Sequence, residues 1–450
     1  MKKRVALSIA GSDPSAGAGI QADLKAFTAL GVHGITVITC ITAQNTQNVE
    51  TVHRLPVTLV EKQIDAILED MRPDAVKTGM LYDKDLANSV AKKITQYNLK
   101  TVVDPVMIAT SGDSLSERNL ADAIKNKLMP KAYIVTPNIN EASLLTGLKI
   151  KTVEDVKKTC KELYEIGPDF VLIKGGHLEG KLVQDVLFDG KKFTIFSLPR
   201  LPNKKAHGSG CTLSALITGL IANGEPPKDA IGKAKNILWS MMYQGYSPGK
   251  GSDVLNYSFD IEKDIPPKFS TDEQLIVWMK LKTSVDKLLS FLPEEYIPEV
   301  GMNIGYALPN AKKPKDVCSI NGRIVKTRDR AVRCGRLAFG VSKHIASIIL
   351  AAMNTDQSNR CAMNIKYSEK ILQKYEKAGF SISSFDRNCE PKSANSTMEW
   401  GTSEAIKQNK SVPDIIYDKG GIGKEPMIRV IGKDPKDVIG KLKVLRKVYK

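Results

Sequence analysis

Short apolar segments alternate with segments of helical periodicity along the first 250 residues, and this alternation constrains the fold more than any other feature. The apolar segments include RVALSIAG, ITVITCIT, TVVDPVM and FVLIKGG, and segments such as AGIQADLKAFTALG separate them. Apolar strands joined by helices predict an α/β fold, with a mostly parallel sheet and helices on both faces. Ligands of such sheets bind at the carboxyl ends of the strands.

A change of composition near residue 250 divides the chain. Residues 247–271 are rich in Pro, Gly, Ser and charged side chains, and the helical segment DEQLIVWMKLKTSVDKLLSFL follows them. We therefore predict a first domain at 1–258, a linker at 259–271 and a second, smaller α/β domain at 272–450. A chain of 450 residues is long enough to form two hydrophobic cores.

Composition excludes several classes of protein. No apolar run reaches membrane-spanning length, and the apolar stretch near the N-terminus is too short for a signal peptide, so we expect a cytoplasmic protein without a membrane partner. The seven cysteines include no CxxC pair, which argues against a disulfide framework or a zinc site.

The net charge of +17 is concentrated in the second half, where 32 Lys and Arg face 20 Asp and Glu from Thr271 onward. This excess favours an anionic partner, and charge alone leaves open whether the partner is a nucleic acid or a small phosphate ester.

The segment AHGSGCT, residues 206–212, leads into the apolar helical pattern LSALITGLIANG. At a helix N-terminus the backbone N–H groups are unpaired, and the two glycines allow the main chain to turn so that these donors converge. We therefore predict a phosphate site at Gly208, Ser209 and Gly210, with Cys211 beside the bound anion.

A glycine-rich segment, AGSDPSAGAGIQAD, follows the first apolar strand and formally matches a dinucleotide-binding fingerprint. The next strand ends in amides rather than in an acidic residue that would bind a ribose, and no Lys-Ser/Thr pair follows the glycines. A flexible loop that closes over a small substrate fits better. Gln44, just past that second strand, has the donors and acceptor to bind an aminopyrimidine, or it caps a loop.

Polar residues follow three further predicted strands. Asp104 in VVDPVM and Glu141 in TPNINEA are candidate Mg²⁺ ligands, and Lys174 in LIKGGH is a candidate contact for nucleotide phosphates. Asn138 and Glu141 also fit the pattern of a helix cap.

Six motifs in order, AGSDPSAGAGIQADLKAF, VITCITAQNT, DPVM, TPNINEA, IKGGH and HGSGCTLSA, resemble those of the hydroxymethylpyrimidine and phosphomethylpyrimidine kinases of the ribokinase superfamily. The resemblance covers roughly residues 3–258. It implies ATP-dependent, Mg²⁺-assisted phosphorylation of 4-amino-5-hydroxymethyl-2-methylpyrimidine and then of its monophosphate.

The resemblance also implies roles for single residues. Gln44 would hold the pyrimidine, helped by Asp23, Met80 and Val106. Gly208 to Cys211 would surround the transferred phosphoryl group, with Cys211 accepting the proton of the alcohol. We expect the helix N-terminus to raise the thiolate fraction of Cys211. A small buried cysteine without a catalytic role is the alternative.

The second half contains an arginine-rich stretch, NGRIVKTRDRAVRCGRLAFGVSKHIAS, whose charge suits a diphosphate, a nucleic acid or a solvated strand. Motifs including PEVGMNIGYALPNA, FGVSKHIA, MNIKYS, SFDR and DIIYDKGGIGKEP resemble the archaeal-type thiamine-phosphate synthase domain over roughly residues 272–450. The resemblance implies that Arg323 binds the leaving diphosphate and that His344 binds substrate or transfers a proton. It also implies a phosphate-binding loop at Gly420, Gly421, Gly423 and Lys424.

Two alternatives remain at this stage. Domains of the second type also occur as ligand sensors attached to DNA-binding modules, although no DNA-binding motif is evident here and we expect no nucleic-acid partner. The first domain is alternatively a pyridoxal kinase, because related kinases accept that ring. We further expect the chain to form homo-oligomers.

Overall fold

The structure is a computed structural model that describes residues 3–107, 119–201, 208–258, 266–267, 269–327, 330–391, 396–421 and 423–445. It divides into two compact units, Met1–Phe259 and Asp260–Lys450. The structural boundary falls one residue beyond the predicted end of the first domain, and most of the predicted linker lies outside the described residues.

The first unit contains a nine-stranded sheet. Its strands are β1 (Val5–Ser12), β2 (His33–Gln44), β3 (Val49–Arg54), β4 (Ala75–Thr78), β5 (Thr101–Val103), β6 (Ile134–Val135), β7 (Phe170–Ile173), β8 (Leu182–Phe188) and β9 (Phe193–Pro199). Their spatial order is β3-β2-β1-β4-β5-β6-β7-β8-β9. Neighbouring strands from β2 to β7 are parallel, and β3, β8 and β9 are antiparallel to their neighbours. The predicted, mostly parallel sheet is confirmed.

Helices in the described part of the first unit are α1 (Gly19–Ala29), α2 (Val57–Asp70), α3 (Lys84–Tyr97), α4 (Leu120–Ala123), α5 (Ile139–Thr146), α6 (Val153–Tyr164), α7 (Ser209–Ala222) and α8 (Pro227–Tyr243). Helix α4 continues into a π turn at Ile124–Leu128 and a 3₁₀ turn at Met129–Lys131. Parallel strands covered by helices must be apolar on both faces, which explains the continuous apolar segments of the sequence.

Helix α7 is the innermost helix of this unit. All residues from Thr212 to Ala222 are buried, and the helix contacts α1, α8, β1, β4 and β5. Its first turn, Ser209 to Cys211, is only partly buried, so the positive end of the helix dipole lies where the interior of the unit opens to solvent.

The second unit has two sheets. Its strands are β10 (Ile304–Ala307), β11 (Val317–Ile320), β12 (Arg323–Lys326), β13 (Ala331–Cys334), β14 (Leu337–Phe339), β15 (Cys361–Lys366), β16 (Ile382–Ser384), β17 (Ile415–Asp418) and β18 (Met427–Gly432). Seven of them form a sheet in the order β14-β11-β10-β15-β18-β17-β16, while β12 and β13 pair separately. Within the larger sheet only β16 and β17 are parallel among the described strands.

The helices described in the second unit are α9 (Asp272–Leu289), α10 (Lys343–Thr355), α11 (Glu369–Lys377), α12 (Thr397–Asn409) and α13 (Pro435–Lys443). Short 3₁₀ turns lie at Glu294–Tyr296, Pro314–Asp316 and Arg387–Cys389. A separate sheet with packed helices confirms the predicted second α/β domain. None of the helices in the described ranges has the combined length and apolar character needed to cross a membrane.

Candidate active sites

The polar residues predicted at strand ends in the first unit follow strands of one sheet. Gln44 ends β2, Asp104 directly follows β5, and Lys174 directly follows β7. Because these strands are parallel, their carboxyl ends lie along the same edge of the sheet. Three of the predicted residues are linked there: the Lys174 ammonium nitrogen lies 2.7 Å from Asp104 Oδ1 and 3.9 Å from Glu141 Oε2.

Helix α7 begins beside these charged groups. Gly208 precedes the helix with φ of +79°, and a methyl group at its Cα would lie 1.8 Å from the carbonyl oxygen of Gly17. Both the backbone conformation and this close approach require glycine. A methyl group at Gly210 would instead lie 3.4 Å from the Lys174 ammonium nitrogen, which places that cation next to the first turn of α7.

The first glycine-rich loop is held by Asp13, a residue that sequence analysis missed. The Asp13 carboxylate accepts hydrogen bonds from Ser15 N, Ser15 Oγ, Gly17 N and Ala18 N at 2.7–3.1 Å. With four donors on one nearly buried carboxylate, the loop is an organised turn whose end packs on Gly208. The loop is therefore ordered around Asp13 in the unliganded protein, and its closure over a substrate stays a prediction.

Asp104 is buried and has one carboxylate oxygen without a partner. Oδ1 accepts from Lys174 and from Thr136 Oγ1 at 3.1 Å, whereas Oδ2 has no hydrogen-bond partner in the described ranges. An orphaned buried carboxylate oxygen fits a cation ligand, because Mg²⁺ in phosphoryl-transfer sites takes one or two carboxylates and completes its shell with phosphates and water.

Glu141 combines two roles that sequence analysis considered separately. Its side chain completes a capping box with Asn138 at the start of α5, and it also lies near Lys174. Burial raises the pKa of the Glu141 carboxyl to about 7, although Lys174 opposes the shift. No group of three or more acidic, histidine or cysteine side chains suited to a metal occurs in the part of the chain described.

Asp23, a predicted pyrimidine contact, is fully buried beneath this edge. Both of its carboxylate oxygens lie 2.8 Å from the ammonium nitrogen of Lys77 on β4, and Ser8 Oγ donates to one of them. Burial raises the pKa of Asp23, and Lys77 and Ser8 oppose that shift. In this structure Asp23 is therefore the counterion of Lys77, which differs from the expected contact with the pyrimidine. Lys77 itself was not among the predicted site residues.

Cys211 lies in the first turn of α7 with part of its surface accessible. Burial raises the pKa of its thiol to about 11, Lys77 and Lys174 act to lower it, and the carboxylates of Asp104 and Asp23 act to raise it. The expected increase of the thiolate fraction is therefore wrong for the unliganded site, because desolvation outweighs the nearby cations.

The predicted pyrimidine contacts Gln44, Met80 and Val106 are half-buried. Gln44 Oε1 accepts from Thr42 Oγ1 at 3.3 Å, and the sulfur of Met80 lies 3.5 Å from where a Gly11 methyl group would be. The ends of β2, β1, β4 and β5, which carry or precede these residues, are consecutive in the sheet.

In the second unit, His344 lies in the first turn of α10, in a region of positive charge. Its pKa is lowered, first by partial burial and then by the positive charges of Arg323, Arg387 and Arg429. Arg323 begins β12 and makes no ion pair with any residue in the described ranges; its guanidinium donates to the Gly322 carbonyl at 2.8 Å. The predicted pair Arg323 and His344 is therefore close enough to interact electrostatically.

Arg387, Arg429 and Asp418 were missed by sequence analysis. Asp418 is the fully buried last residue of β17. Its carboxylate accepts hydrogen bonds from Arg387 Nε at 2.6 Å and Arg387 Nη2 at 3.1 Å, and Arg429 Nη2 lies 2.6 Å from it. Burial opposes ionisation of Asp418, but the two arginines outweigh it and leave the pKa lowered. Arg387 lies in the motif SFDR, just after a strand, and this position could have identified it as a candidate site residue.

The predicted phosphate loop of the second unit is a tight turn. Gly421 N donates to the Lys424 carbonyl at 3.0 Å and Lys424 N donates to the Gly421 carbonyl at 2.9 Å. Gly420 N donates to Asp418 Oδ1 at 2.8 Å, which joins this turn to the arginine cluster. Gly421 and Gly423 have open space beside their Cα atoms.

Family models match both halves of the chain: phosphomethylpyrimidine kinase over residues 13–256, and thiamine-phosphate synthase ThiN over residues 280–444. A bifunctional thiamine biosynthesis protein, ThiDN, of Methanocaldococcus jannaschii is 36% identical over 448 residues, which is 99% of each chain. The chain belongs to this family of fused kinases and synthases. The resemblance to these two families is thereby confirmed.

Other relatives match the kinase half of the family alone. The hydroxymethylpyrimidine/phosphomethylpyrimidine kinase of Bacillus subtilis is 44% identical over 56% of this chain and 94% of its own. Among solved structures, Staphylococcus aureus pyridoxal kinase in complex with AMP-PCP and pyridoxal has a TM-score of 0.54 and 34% identity, covering 57% of this chain and 94% of that one. An ADP complex of Bacillus subtilis pyridoxal kinase has a TM-score of 0.53 and 35% identity, covering 57% of this chain and 98% of that one. The first unit has the ribokinase-like fold of these kinases.

Proposed function

We infer that this protein is a bifunctional enzyme of thiamine biosynthesis. The first unit phosphorylates 4-amino-5-hydroxymethyl-2-methylpyrimidine and its monophosphate with ATP, and the second joins the resulting diphosphate to hydroxyethylthiazole phosphate. The observation that carries this function is the relative that matches 99% of both chains. The alternative of a non-catalytic, DNA-associated second unit has less support, because ThiN is named as a synthase.

In the kinase reaction we assign proton acceptance to Cys211. The alcohol oxygen attacks the γ-phosphorus, the bond between that phosphorus and ADP breaks with its electron pair passing to ADP, and the hydroxyl proton moves to the sulfur of Cys211. The backbone N–H groups at Gly208, Ser209 and Gly210 stabilise the charge on the phosphoryl oxygens. Cys211 can accept this proton only as thiolate, which is the minor form because burial raises the pKa of the thiol to about 11, and the charges of Lys77 and Lys174 favour that form.

Mg²⁺ fits beside Asp104 and Glu141. Asp104 Oδ2 has no protein partner in the described ranges and Glu141 Oε2 lies 3.9 Å from the Lys174 ammonium nitrogen that Asp104 binds, so both carboxylates would hold the ion. A bound Mg²⁺ supplies charge neutralisation for the β- and γ-phosphates. Lys174 binds the phosphates directly in this assignment, and Gln44, Met80 and Val106 contact the pyrimidine ring.

In the synthase reaction the bond between the pyrimidine methylene carbon and the diphosphate oxygen breaks, and the electron pair leaves with the diphosphate. The lone pair of the thiazole nitrogen forms the new carbon–nitrogen bond. That nitrogen carries no proton, so the reaction releases none. We therefore assign His344, whose pKa is lowered, to binding as a neutral hydrogen-bond donor, and Arg323 to the leaving diphosphate.

A single reconstitution tests the whole function. The purified full chain receives the hydroxymethylpyrimidine, ATP, Mg²⁺ and hydroxyethylthiazole phosphate, and thiamine phosphate is measured by chromatography. We expect thiamine phosphate to form together with ADP and pyrophosphate. Formation of the pyrimidine diphosphate without thiamine phosphate would contradict the synthase half, and absence of both would contradict the kinase half.

Pyridoxal is a second candidate substrate of the kinase half, since two pyridoxal kinases share its fold at 34–35% identity. Competition between the two alcohols measures the preference. Gln44 presents an amide whose donor and acceptor groups suit an aminopyrimidine, so we expect kcat/KM to be at least about tenfold higher for the pyrimidine. A ratio that favours pyridoxal would reassign the kinase.

A further inference from the structure

The synthase reaction, as proposed, brings together two phosphorylated substrates, and Arg323 accounts for only one of them. The diphosphate is bonded to the pyrimidine methylene carbon that reacts, whereas the monophosphate of the thiazole substrate lies at the end of its hydroxyethyl group, away from the reacting nitrogen. Two separate anion subsites are therefore required, one next to the reacting carbon and one further away.

Arg387 provides positive charge near His344 from a different part of the sheet than Arg323. Arg323 lies beside the start of β10, because Ile324 pairs with Met302, whereas Arg387 follows β16 at the far edge of the sheet. Three strands, β15, β18 and β17, separate β10 from β16 in the strand order. Side-chain contacts connect the two regions. Ser396 Oγ, at the start of α12, donates to Ser347 Oγ, one turn beyond His344, at 3.4 Å, and Met398 in the first turn of α12 contacts Arg429, which shares Asp418 with Arg387. The positive charges of both Arg323 and Arg387 accordingly lower the pKa of His344.

The Arg387 guanidinium is fixed in position and only partly used. Arg387 Nε and Nη2 donate to the two carboxylate oxygens of Asp418 in a bidentate pair, and no other acceptor for Arg387 occurs among the residues described. A guanidinium has five N–H donors, so about three remain for a ligand. The Arg387 side chain retains 12% of its surface exposed, while that of Arg429 retains 2%.

Arg429 has a structural part in this cluster. Its guanidinium lies 5.1 Å from the centroid of the Phe385 ring, and Nη1 donates to the Met427 carbonyl. Buried in this way, Arg429 keeps Asp418 ionised and leaves Arg387 as the accessible cation. Asp418 also binds Gly420 N, so the same carboxylate positions the arginine and the Gly420–Lys424 turn.

We propose that Arg387, held by Asp418 and flanked by the Gly420–Lys424 turn, forms a second phosphate subsite that binds the monophosphate of the thiazole substrate. This inference rests on the proposed synthase function. The charges favour this assignment over the reverse one. Arg323 has no counterion in the described ranges and suits the diphosphate, whose charge increases as it leaves, whereas Arg387 shares Asp418 and suits a phosphate whose charge is constant.

Steady-state kinetics of the full chain test the subsite. We expect Arg387→Ala to raise KM for the thiazole phosphate by about 10- to 100-fold, since it removes a charge-assisted contact, and to leave KM for the pyrimidine diphosphate within about twofold. The KM of Arg387→Lys for the thiazole phosphate should lie between those of wild type and Arg387→Ala, because lysine keeps the positive charge but lacks the paired N–H donors of a guanidinium. Lys419→Ala, which removes a neighbouring exposed cation, serves as the matched control and should leave both KM values unchanged.

The unphosphorylated thiazole alcohol separates binding from a structural role. With this substrate, wild type and Arg387→Ala should have the same kcat/KM, because the lost contact is absent from both reactions. The proposal would be overturned if Arg387→Ala raised KM for the pyrimidine diphosphate instead. It would also be overturned if the variant lost equal kcat/KM with the thiazole alcohol and with the thiazole phosphate.

Calorimetric titration of the thiazole phosphate onto the same proteins distinguishes failure of the subsite from failure of the synthase. Binding that depends on Arg387 in a protein that makes no thiamine phosphate would support the subsite and contradict the synthase. Equal binding by wild type and Arg387→Ala would contradict the subsite whatever the activity.

Discussion

The ammonium nitrogen of Lys77 lies 2.8 Å from both carboxylate oxygens of Asp23, and neither side chain reaches solvent. The pair joins β4 to α1, and both of these elements pack against α7. Lys77 also acts on the Cys211 thiol, whose pKa it lowers, and Asp104 and Cys211 in turn help to raise the pKa of Lys77 against the effect of burial. The pair therefore belongs both to the core and to the electrostatics of the kinase site.

Replacing Lys77 by Met should destabilise the first unit, because Asp23 would remain buried without its counterion. Breaking a buried ion pair costs about 3–5 kcal/mol, which lowers the unfolding midpoint of a unit of this size by roughly 10 °C. Calorimetry of the full chain measures the change. Lys157→Met, which removes a solvent-exposed pair with Glu154, is the control and should shift the midpoint by about 2 °C or less. Equal shifts in the two variants would contradict the expectation.

Alkylation of Cys211 should depend steeply on pH in the unliganded protein. With a pKa of about 11, the reactive thiolate is scarce at pH 8, and the rate should rise about tenfold per pH unit from pH 7 to 10. Cys334 and Cys389 are exposed and the four remaining cysteines are buried, so the double variant Cys334→Ser/Cys389→Ser isolates the Cys211 reaction. Rates of iodoacetamide labelling that level off below pH 9 would show a lower pKa than burial implies.

Two glycines of the anion site should respond differently to the same substitution. Gly208→Ala forces a methyl group against the Gly17 carbonyl at a left-handed backbone position, so the first turn of α7 must move, and kinase kcat should fall about 100-fold or more. In Gly210→Ala the new methyl group lies 3.4 Å from the flexible end of Lys174, and kinase kcat should fall by less than about tenfold. Similar losses in both variants would mean that the tight contact between the two loops does not position the turn.

Substitutions in one unit should leave the reaction of the other intact. Cys211→Ala should lower pyrimidine phosphorylation by about 10²- to 10⁴-fold, the usual contribution of a positioned proton acceptor, while synthesis from supplied pyrimidine diphosphate continues. Arg323→Ala and His344→Ala should have the reverse effect. Separate assays of ADP and thiamine phosphate measure the two steps. Normal thiamine phosphate formation by both synthase variants would remove these residues from the site.

The homo-oligomeric state expected from sequence stays a prediction, and light scattering of the purified chain tests it.

Residues that directly follow apolar strands were predictable, whereas residues inside strands were not. Asp104 and Lys174 were found because each lies where an apolar segment ends, and parallel strands bring such positions together. Lys77 lies within a strand, and its partner is 54 residues away in the chain. Local sequence pattern contains no information about that pairing, so a buried lysine is indistinguishable from a surface one.

The same limit applies in the second unit. Arg429 lies in the apolar segment MIRVIG, where a cation is unusual, but only the fold reveals Asp418 as its counterion. The pKa of Cys211 was mispredicted for a related reason. A helix N-terminus is visible in sequence, whereas the depth at which α7 lies, which determines desolvation, depends on packing against two helices and three strands.

The depth of α7 has a consequence for how the enzyme matures. A helix that is buried from Thr212 to Ala222 gains most of its stability from packing, so its first turn is assembled only when the surrounding layers close around it. A nascent chain that has not yet supplied residues 209–222 to this core cannot retain nucleotide there. Capture on immobilised ATP would consequently report the moment during translation at which the first unit is complete.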